Sequence, residues 1–257
     1  VVPVQDLERI SASSGHKINQ VAQNRTIFFG MDQGAAELFS SNIKGKNPFA
    51  DKRVRLAMYH ALDMDAIKDK VMRGQSFPAG IITAPGVNGY TKAHDTRLPY
   101  DPELSKKLLA EAGYPDGFEV TLDCPNDRYV NDEAICVAAI GMFAKIGVKV
   151  TLLAQTKSKY FGKVLAQNNY DTSFFLLGWT PSTFDSHNPI SALMACRGGA
   201  DKLGAFNLGG YCNPRINELA ALIQSETNQT KRLPKIRYRQ FLQKSEIYQN
   251  YLRGQQQ

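Results

Sequence analysis

Residues 169–188 read NYDTSFFLLGWTPSTFDSHN and are the most informative stretch for the fold of this chain. Within them, residues 174–177 form an apolar run, which Gly178, Trp179 and the turn-forming residues 180–183 follow. A short apolar run between turn signals is typical of a strand that is buried on both faces. Ligands of open α/β sheets bind at the carboxyl ends of such strands, so Trp179 is predicted to lie beside a ligand. The alternative is that Trp179, the only tryptophan of the chain, fills the edge of the core.

Strand and helix patterns alternate around this stretch. Strands are predicted at residues 118–123, 148–153 and 171–178, and helices at residues 132–146 and 160–167. Such alternation favours an α/β fold with a mixed or parallel sheet. Residues 17–31 are also predicted to be extended, because β-prone side chains occupy their centre.

Boundary signals define the other elements. Asp51 and Asp101 are candidate N-caps, and Asn213 with the following proline begins a helix. Further helices are predicted at residues 5–11, 51–62, 65–71, 101–113 and 234–249. Residues 75–99 contain repeated Gly and Pro residues and are predicted to form a long irregular loop, and the chain is predicted to end in a polar tail.

The composition is that of a folded, basic protein. The chain has 257 residues, of which 43% are hydrophobic, and its formal net charge is +7. The basic residues are scattered, and their densest group, residues 231–239, lies on a predicted helix, which favours a solvated helix face over a nucleic-acid site. We therefore expect no nucleic-acid partner.

No apolar run reaches the roughly 20 residues of a membrane span. The chain starts at Val1 without a signal peptide, which suggests a mature chain or a fragment of a longer one.

The cysteines leave two interpretations open. Cys124, Cys136, Cys196 and Cys212 do not have the CxxC spacing of metal sites. They lie near predicted loops or element ends, where two short-range disulfides can form, and such disulfides would indicate an oxidising compartment. The alternative is four unpaired cysteines that act as small hydrophobic residues.

The sequence gives little support for a metal site or for a catalytic triad. His60, His94 and His187 have neither a paired spacing nor a cysteine partner, so we expect no metal and no cofactor. Ser182, Asp185 and His187 share one turn-rich loop, but no GxSxG nucleophile elbow is present. A serine hydrolase is therefore the weaker alternative, and we expect a binding protein rather than an enzyme.

Five segments of the chain match the motifs of one family in the same order. They are residues 48–57 (PFADKRVRLA) with 61–63 (ALD), 100–102 (YDP) with 107–115 (KLLAEAGYP), 144–150 (AKIGVKV), 177–179 (LGW) and 211–214 (YCNP). Through them the chain resembles the family 5 extracellular solute-binding proteins, the dipeptide- and oligopeptide-binding components of ABC importers. The resemblance implies a type II periplasmic-binding-protein lobe, in which helices flank a mixed sheet.

The resemblance also implies a domain organisation and partners. Residues 1–31 correspond to a hinge segment that enters from a first lobe absent from this chain, and residues 32–257 correspond to the second lobe. In the family, two lobes close over a solute by a hinge motion. The implied protein is periplasmic and monomeric, binds a peptide or peptide-like solute, and delivers it to an inner-membrane permease. A non-peptide solute of the sugar-phosphate, opine or metal-chelate type is the alternative on the same scaffold.

The family's site residues transfer to this chain in part. Trp179 is expected to give an apolar wall, and Ser182 and Thr183 are expected to give polar contacts. Ser182 stands where dipeptide binders have an aspartate that pairs with the α-ammonium group, so the ion pair of a free-amine peptide is missing. Asp185 matches a second aspartate of this loop, which is structural in the family, and it is the nearest carboxylate for a cationic ligand.

Arg128 lies at a position that corresponds to a ligand-contacting arginine of dipeptide binders. It lies three residues after Pro125, where dipeptide binders carry an arginine that meets the carboxylate of the ligand. A guanidinium group suits this bidentate contact. The alternative is an exposed loop arginine that pairs with Asp127 or Asp132.

Overall fold

A six-stranded mixed sheet forms the centre of the computed structural model, which describes residues 2–198, 203–242 and 250–256. Its strands are β1 (Val21–Met31), β2 (Ser76–Ala79), β3 (Glu119–Pro125), β4 (Lys149–Gln155), β5 (Phe174–Trp179) and β6 (Asn250–Gln256). Their order across the sheet is β2-β6-β1-β5-β3-β4. Strand β3 is parallel to β4 and β5, whereas β1 is antiparallel to β5 and β6, and β2 is antiparallel to β6. The predicted α/β fold with a mixed sheet is confirmed.

Helices connect these strands. They are α1 (Leu7–Ser11), α2 (Lys52–His60), α3 (Met64–Ala66), α4 (Pro102–Glu111), α5 (Asp132–Ala144), α6 (Lys157–Val164), α7 (His187–Leu193), α8 (Pro214–Ser225) and α9 (Gln229–Leu242). A π-helical turn, Ile67–Val71, continues α3. The predicted caps are present, since the side chains of Asp51, Asp101 and Asn213 accept hydrogen bonds from backbone N–H groups in the first turns of α2, α4 and α8.

The sheet separates two hydrophobic clusters. One cluster contains Phe174 and Leu176 of β5 together with residues of α2 and α5, and the other contains Phe175 and Leu177 together with residues of α6, α7, α8 and α9. Alternate side chains of a strand point to opposite faces, so a strand covered on both faces needs an uninterrupted apolar run. The prediction that residues 174–177 are buried on both faces is confirmed.

Several predicted elements differ from the structure. Residues 76–79 of the predicted loop form β2, and residues 250–256 of the predicted polar tail form β6, which pairs with β1 and β2. Partners distant in sequence supply these backbone hydrogen bonds, so no local pattern reveals the strands. Helix α9 begins at Gln229 rather than at Pro234, because the Asn228 side chain accepts hydrogen bonds from the N–H groups of Thr230 and Lys231. Residues 243–249 of that predicted helix lie outside the described residues.

Two disulfides are present. We call the Cys124–Cys136 bond, which joins β3 to α5, the sheet disulfide, and the Cys196–Cys212 bond, which closes the loop before α8, the loop disulfide. The paired interpretation of the cysteines is therefore confirmed. Within the described ranges, no helix is long and apolar enough to cross a lipid bilayer.

Candidate functional site

The loops that follow β3, β4 and β5 lie at one edge of the sheet, which we call the carboxyl edge. The loop after β3 contacts the end of β4, since the N–H of Asn126 donates to the carbonyl of Gln155 at 2.9 Å. Trp179 ends β5 and lies opposite Thr26, in the middle of antiparallel β1. The carboxyl ends of three parallel strands and the middle of β1 therefore lie where open α/β sheets bind their ligands.

Tyr129 joins the loop after β3 to the end of β5. The Gly178 N–H donates to the Tyr129 hydroxyl at 2.8 Å. A Cβ atom at Gly178 would lie 2.7 Å from Cε1 of the tyrosine ring and 2.5 Å from Cδ1 of Ile27, so only glycine permits this approach. The Gly-Trp pair thus positions both the indole and the neighbouring loop. Tyr129 was not among the predicted site residues, because no local pattern distinguishes it from a core tyrosine.

Arg128 lies exposed on the same loop. Its backbone N–H donates to Oδ2 of Asp132 at 2.9 Å, and its guanidinium carbon lies 5.2 Å from the centre of the Tyr129 ring. Oδ1 of Asp127 accepts from the backbone N–H of Lys157. Among the described residues, no carboxylate forms an ion pair with the Arg128 guanidinium, so its predicted alternative pairing with Asp127 or Asp132 is not observed.

Trp179 is half-buried and forms part of a hydrogen-bonded chain. Its indole N–H donates to Oδ1 of Asn188 at 2.8 Å, and Nδ2 of Asn188 donates to the Ser182 hydroxyl at 3.1 Å. The indole also packs edge-on against Phe206, with ring centres 4.9 Å apart. The Ser182 hydroxyl thus accepts from the same amide that holds the indole, and Ser182 and Thr183 are both exposed.

A cavity of about 620 Å³ opens beside the indole. Its lining includes Trp179, Phe206, His187, Asn188, Ser191 and Gln224. Concave sites that combine apolar walls with a few polar groups are the usual form of small-molecule sites. Trp179 therefore contacts the core through Phe206 and also lines open space, so its two predicted roles are compatible. Asn188 and Phe206 were not predicted as site residues, since no local pattern distinguishes Asn188 from its neighbours and Phe206 is distant from β5 in sequence.

Asp185 is held by a bidentate ion pair. Its two oxygens lie 2.7 and 2.8 Å from the Arg232 guanidinium nitrogens, and they also accept hydrogen bonds from the Asn88 amide and the His187 backbone N–H. Burial by itself raises the pKa of Asp185, but Arg232 and these hydrogen bonds outweigh it and lower the pKa overall. The contacts of Asp185 favour the structural role over a contact with a cationic ligand.

The histidines named in the sequence lie in separate places. His60 contacts the carbonyl of Pro99 at 2.7 Å, and His94 contacts the Thr91 hydroxyl at 2.9 Å. Within the ranges that the structure describes, no group of three His, Cys, Asp or Glu side chains is arranged to hold a metal ion.

The α/β lobe with polar and aromatic groups at its carboxyl edge has the architecture of periplasmic binding proteins. The family model described as bacterial extracellular solute-binding proteins, family 5 Middle, matches residues 1–201. The chain therefore belongs to this family of extracellular solute-binding proteins, and its two disulfides fit an oxidising compartment.

One curated relative and two solved structures are similar to this chain. The chain is 26% identical to the glutathione-binding protein GsiB of Salmonella typhimurium (strain LT2) over 214 residues, which are 82% of this chain and 41% of the relative. The dipeptide-binding protein of Pseudoalteromonas sp. SM9913 in complex with Met-Leu has a similar fold, with a TM-score of 0.80, 21% identity, and coverage of 99% of this chain and 47% of the other. AgaA from A. tumefaciens R10 in complex with agropinic acid also has a similar fold, with a TM-score of 0.77 and 23% identity. The match covers 99% of this chain and 50% of AgaA. The chain thus spans about half or less of these relatives.

Proposed function

We propose that this chain is the second lobe of the periplasmic solute-binding component of an ABC importer. Residues 1–31 would contain the hinge segment, and residues 32–257 would form the lobe. The protein captures a peptide or peptide-like solute without covalent chemistry, in a cleft between this lobe and another, and delivers it to an inner-membrane permease. The observation that carries the proposal is the exposed Arg128 guanidinium, which lacks a carboxylate partner among the described residues, at the carboxyl edge that ends in Trp179.

The site residues have distinct roles in this proposal. Arg128 binds a carboxylate of the solute through paired N–H···O contacts, and the Trp179 indole forms a rigid apolar wall. Ser182 and Thr183 provide polar contacts from the loop after β5. Closure of the cleft removes water from these groups and so strengthens the few polar bonds that they make.

A non-peptide solute is the second candidate, and the environment of Ser182 favours it. Ser182 accepts a hydrogen bond from Asn188 and cannot supply the negative charge that a free α-ammonium group requires. Asp185 is occupied by Arg232. A solute with carboxylates but without an ammonium group at this end, such as an opine, satisfies the same contacts. The structural relative AgaA is described in complex with agropinic acid, which agrees with this candidate.

A serine hydrolase fits the contacts poorly. Asp185 bonds to the backbone N–H of His187 and to Arg232, so its carboxylate is occupied by groups other than an imidazole ring that it would have to orient. The hydroxyl of Ser182 contacts the Asn188 amide. A hydrolase would show turnover that Ser182→Ala abolishes, whereas the proposed binding protein shows no turnover.

Mass spectrometry of solutes that co-purify with the complete native protein is the direct test of the proposed function. A peptide or peptide-like compound released on denaturation would support the proposal, and a compound without any carboxylate would contradict the role of Arg128.

The first mutational prediction concerns Arg128. Arg128→Ala in the complete protein should weaken the binding of carboxylate solutes by more than about tenfold, because a charge-assisted bidentate contact is lost. Isothermal calorimetry measures the change. Arg215→Ala is the matched control, since Arg215 forms an exposed ion pair with Glu218 on α8. Equal affinities of the Arg128→Ala and Arg215→Ala proteins would rule out the assigned role.

A further inference from the structure

A second arginine, Arg25, lies beside the predicted ligand contact Arg128. The Nε of Arg25 donates to the Thr180 hydroxyl at 3.0 Å, which places this side chain against the loop that follows β5. Its guanidinium carbon lies 5.9 Å from the centre of the Tyr129 ring, and that of Arg128 lies 5.2 Å from the same ring. Two guanidinium groups therefore lie close to the ring of one tyrosine, Tyr129, at the carboxyl edge.

The backbone of β1 is irregular at this position. Strand β1 pairs with β6 at Ala22 and again at Thr26, and the register shifts between these two residues. Arg25 lies within this irregular part, directly before the residue that pairs with Trp179. Such bulges redirect side chains and are common beside functional sites. The irregular backbone is therefore an observation, independent of the Tyr129 contact, that supports a specific placement of the Arg25 side chain.

The charge of Arg25 is not neutralised within the described parts of the chain, where no carboxylate lies within ion-pair distance of it. Burial, followed by the charge of Arg128, lowers the pKa of Arg25, while Tyr129 acts in the opposite direction. Two neighbouring cations with no counter-charge among the described residues destabilise the ligand-free form. An anionic ligand that contacts both groups removes this cost, so the arrangement favours a ligand with more than one negative charge.

We infer that Arg25 is a specificity-determining residue that acts together with Arg128 and selects solutes with two carboxylate groups. This inference rests on the proposed function, and it narrows the solute from any peptide-like carboxylate to dicarboxylates. Each guanidinium binds one carboxylate, and Thr180 fixes the orientation of Arg25 through the Nε hydrogen bond, which leaves the terminal nitrogens for the ligand.

The test compares two dipeptides of nearly equal shape in calorimetric titrations of the complete protein. Ala-Glu has two carboxylates and Ala-Gln has one. We expect the wild-type protein to bind Ala-Glu at least about tenfold more tightly, since one additional charge-assisted contact is made. Arg25→Gln should reduce this preference to less than about threefold and leave the affinity for Ala-Gln unchanged. Arg128→Gln should weaken the binding of both dipeptides.

Control variants separate specificity from folding. Arg237→Gln replaces an exposed arginine of α9 and should keep the wild-type preference. Arg25→Lys retains the charge but not the planar donor group, and it should show an intermediate preference. The thermal unfolding midpoint of each protein without ligand is measured in parallel, and a midpoint of Arg25→Gln close to that of the wild type shows that loss of preference does not arise from unfolding.

The possible outcomes distinguish this inference from the proposed function. If Ala-Glu and Ala-Gln bind equally to the wild type, or if the preference survives Arg25→Gln, the role of Arg25 is overturned while peptide capture stands. If only glutarate binds, and Arg25→Gln weakens its binding, the dicarboxylate class is supported and the peptide is contradicted. Competition by inorganic phosphate as strong as that by glutarate would overturn the dicarboxylate class. Absence of binding for every probe would overturn the dicarboxylate class, while the solute that co-purifies with the native protein still decides the proposed function.

Discussion

Arg232 and the two arginines at the carboxyl edge have different environments. Arg232 forms a bidentate pair with Asp185 and donates through Nε to the carbonyl of Ile223, so its charge and its hydrogen-bonding groups are used within the fold. Arg25 and Arg128 lack such a carboxylate among the described residues. A paired, largely buried arginine contributes to stability, whereas an unpaired one at a sheet edge is available to a ligand.

Loss of the Arg232 contact should destabilise the fold. We expect Arg232→Gln to lower the free energy of unfolding by about 2 kcal/mol, because Asp185 would keep its position without its main partner. Urea denaturation at neutral pH measures the change. The control Arg215→Gln removes an exposed ion pair and should change stability by less than about 0.5 kcal/mol. Similar effects of the two substitutions would contradict the structural role of Asp185.

The same pair predicts a pH dependence. The pKa of Asp185 is lower in the folded protein than its ordinary value of 3.8, since Arg232 and hydrogen bonds outweigh the opposing effect of burial. Its contribution to stability is therefore present above pH 3.8 and is lost as the pH falls through the folded-state value. The stability difference between wild type and Arg232→Gln should shrink on acidification from pH 7 to about pH 3. A difference that stays constant over this range would exclude ionised Asp185 as its source.

At the scale of elements, the two disulfides connect different parts of the molecule. The sheet disulfide attaches α5 to the end of β3, just before the loop that contains Arg128. The loop disulfide closes the segment that contains Phe206. Phe206 contacts the indole of Trp179. Only the loop disulfide therefore constrains a residue that packs directly on the proposed ligand wall.

This difference predicts distinct effects of the two bonds on fluorescence. Replacing both cysteines of either disulfide with serine should lower the free energy of unfolding by about 3 kcal/mol, since loops of similar length are closed. Loss of the loop disulfide should also shift the native emission of Trp179, because Phe206 is released from its constraint. Loss of the sheet disulfide is the control and should leave the native emission unchanged. Equal spectral changes in both variants would contradict this assignment.

Local signals predicted most of the helices and strands but not all. Caps such as Asp101 act on the adjacent turn, so their effect can be read from a few residues. Strands β2 and β6 were missed because their hydrogen bonds are made to each other across more than a hundred residues of chain, and β6 is rich in polar side chains. Helix α7 was also missed, since it begins within the turn-rich loop after β5.

At the scale of the whole molecule, one sheet is shared by two hydrophobic clusters. Phe174 belongs to one cluster and Phe175 to the other, and each is only 1% exposed. Adjacent residues of a single strand thus join the two layers of helices. Because neither layer can lose its half of the core without exposing β5, we expect both to unfold together.

Substitutions in β5 test this coupling. Phe174→Ala and Phe175→Ala should each lower the free energy of unfolding by about 3–5 kcal/mol, because each leaves a cavity in a closely packed cluster. In both variants, circular dichroism and Trp179 fluorescence should report one common transition in urea. Phe77→Ala on β2 is the control, since Phe77 is 47% exposed, and it should have a much smaller effect. Separate transitions in the two variants would show that the layers are independent.

The sequence by itself determined the class of fold, the strand buried on both faces and the position of Trp179 at its end. Each depends on a local pattern of apolar and turn-forming residues, and the family motifs lie in the same stretches. Tertiary structure alone decided the pairing of β1 with β6, the contact of Asp185 with Arg232, and the approach of Arg25 to Arg128. These features join residues that are far apart in the chain, and the distances between their side chains depend on how the strands and loops pack.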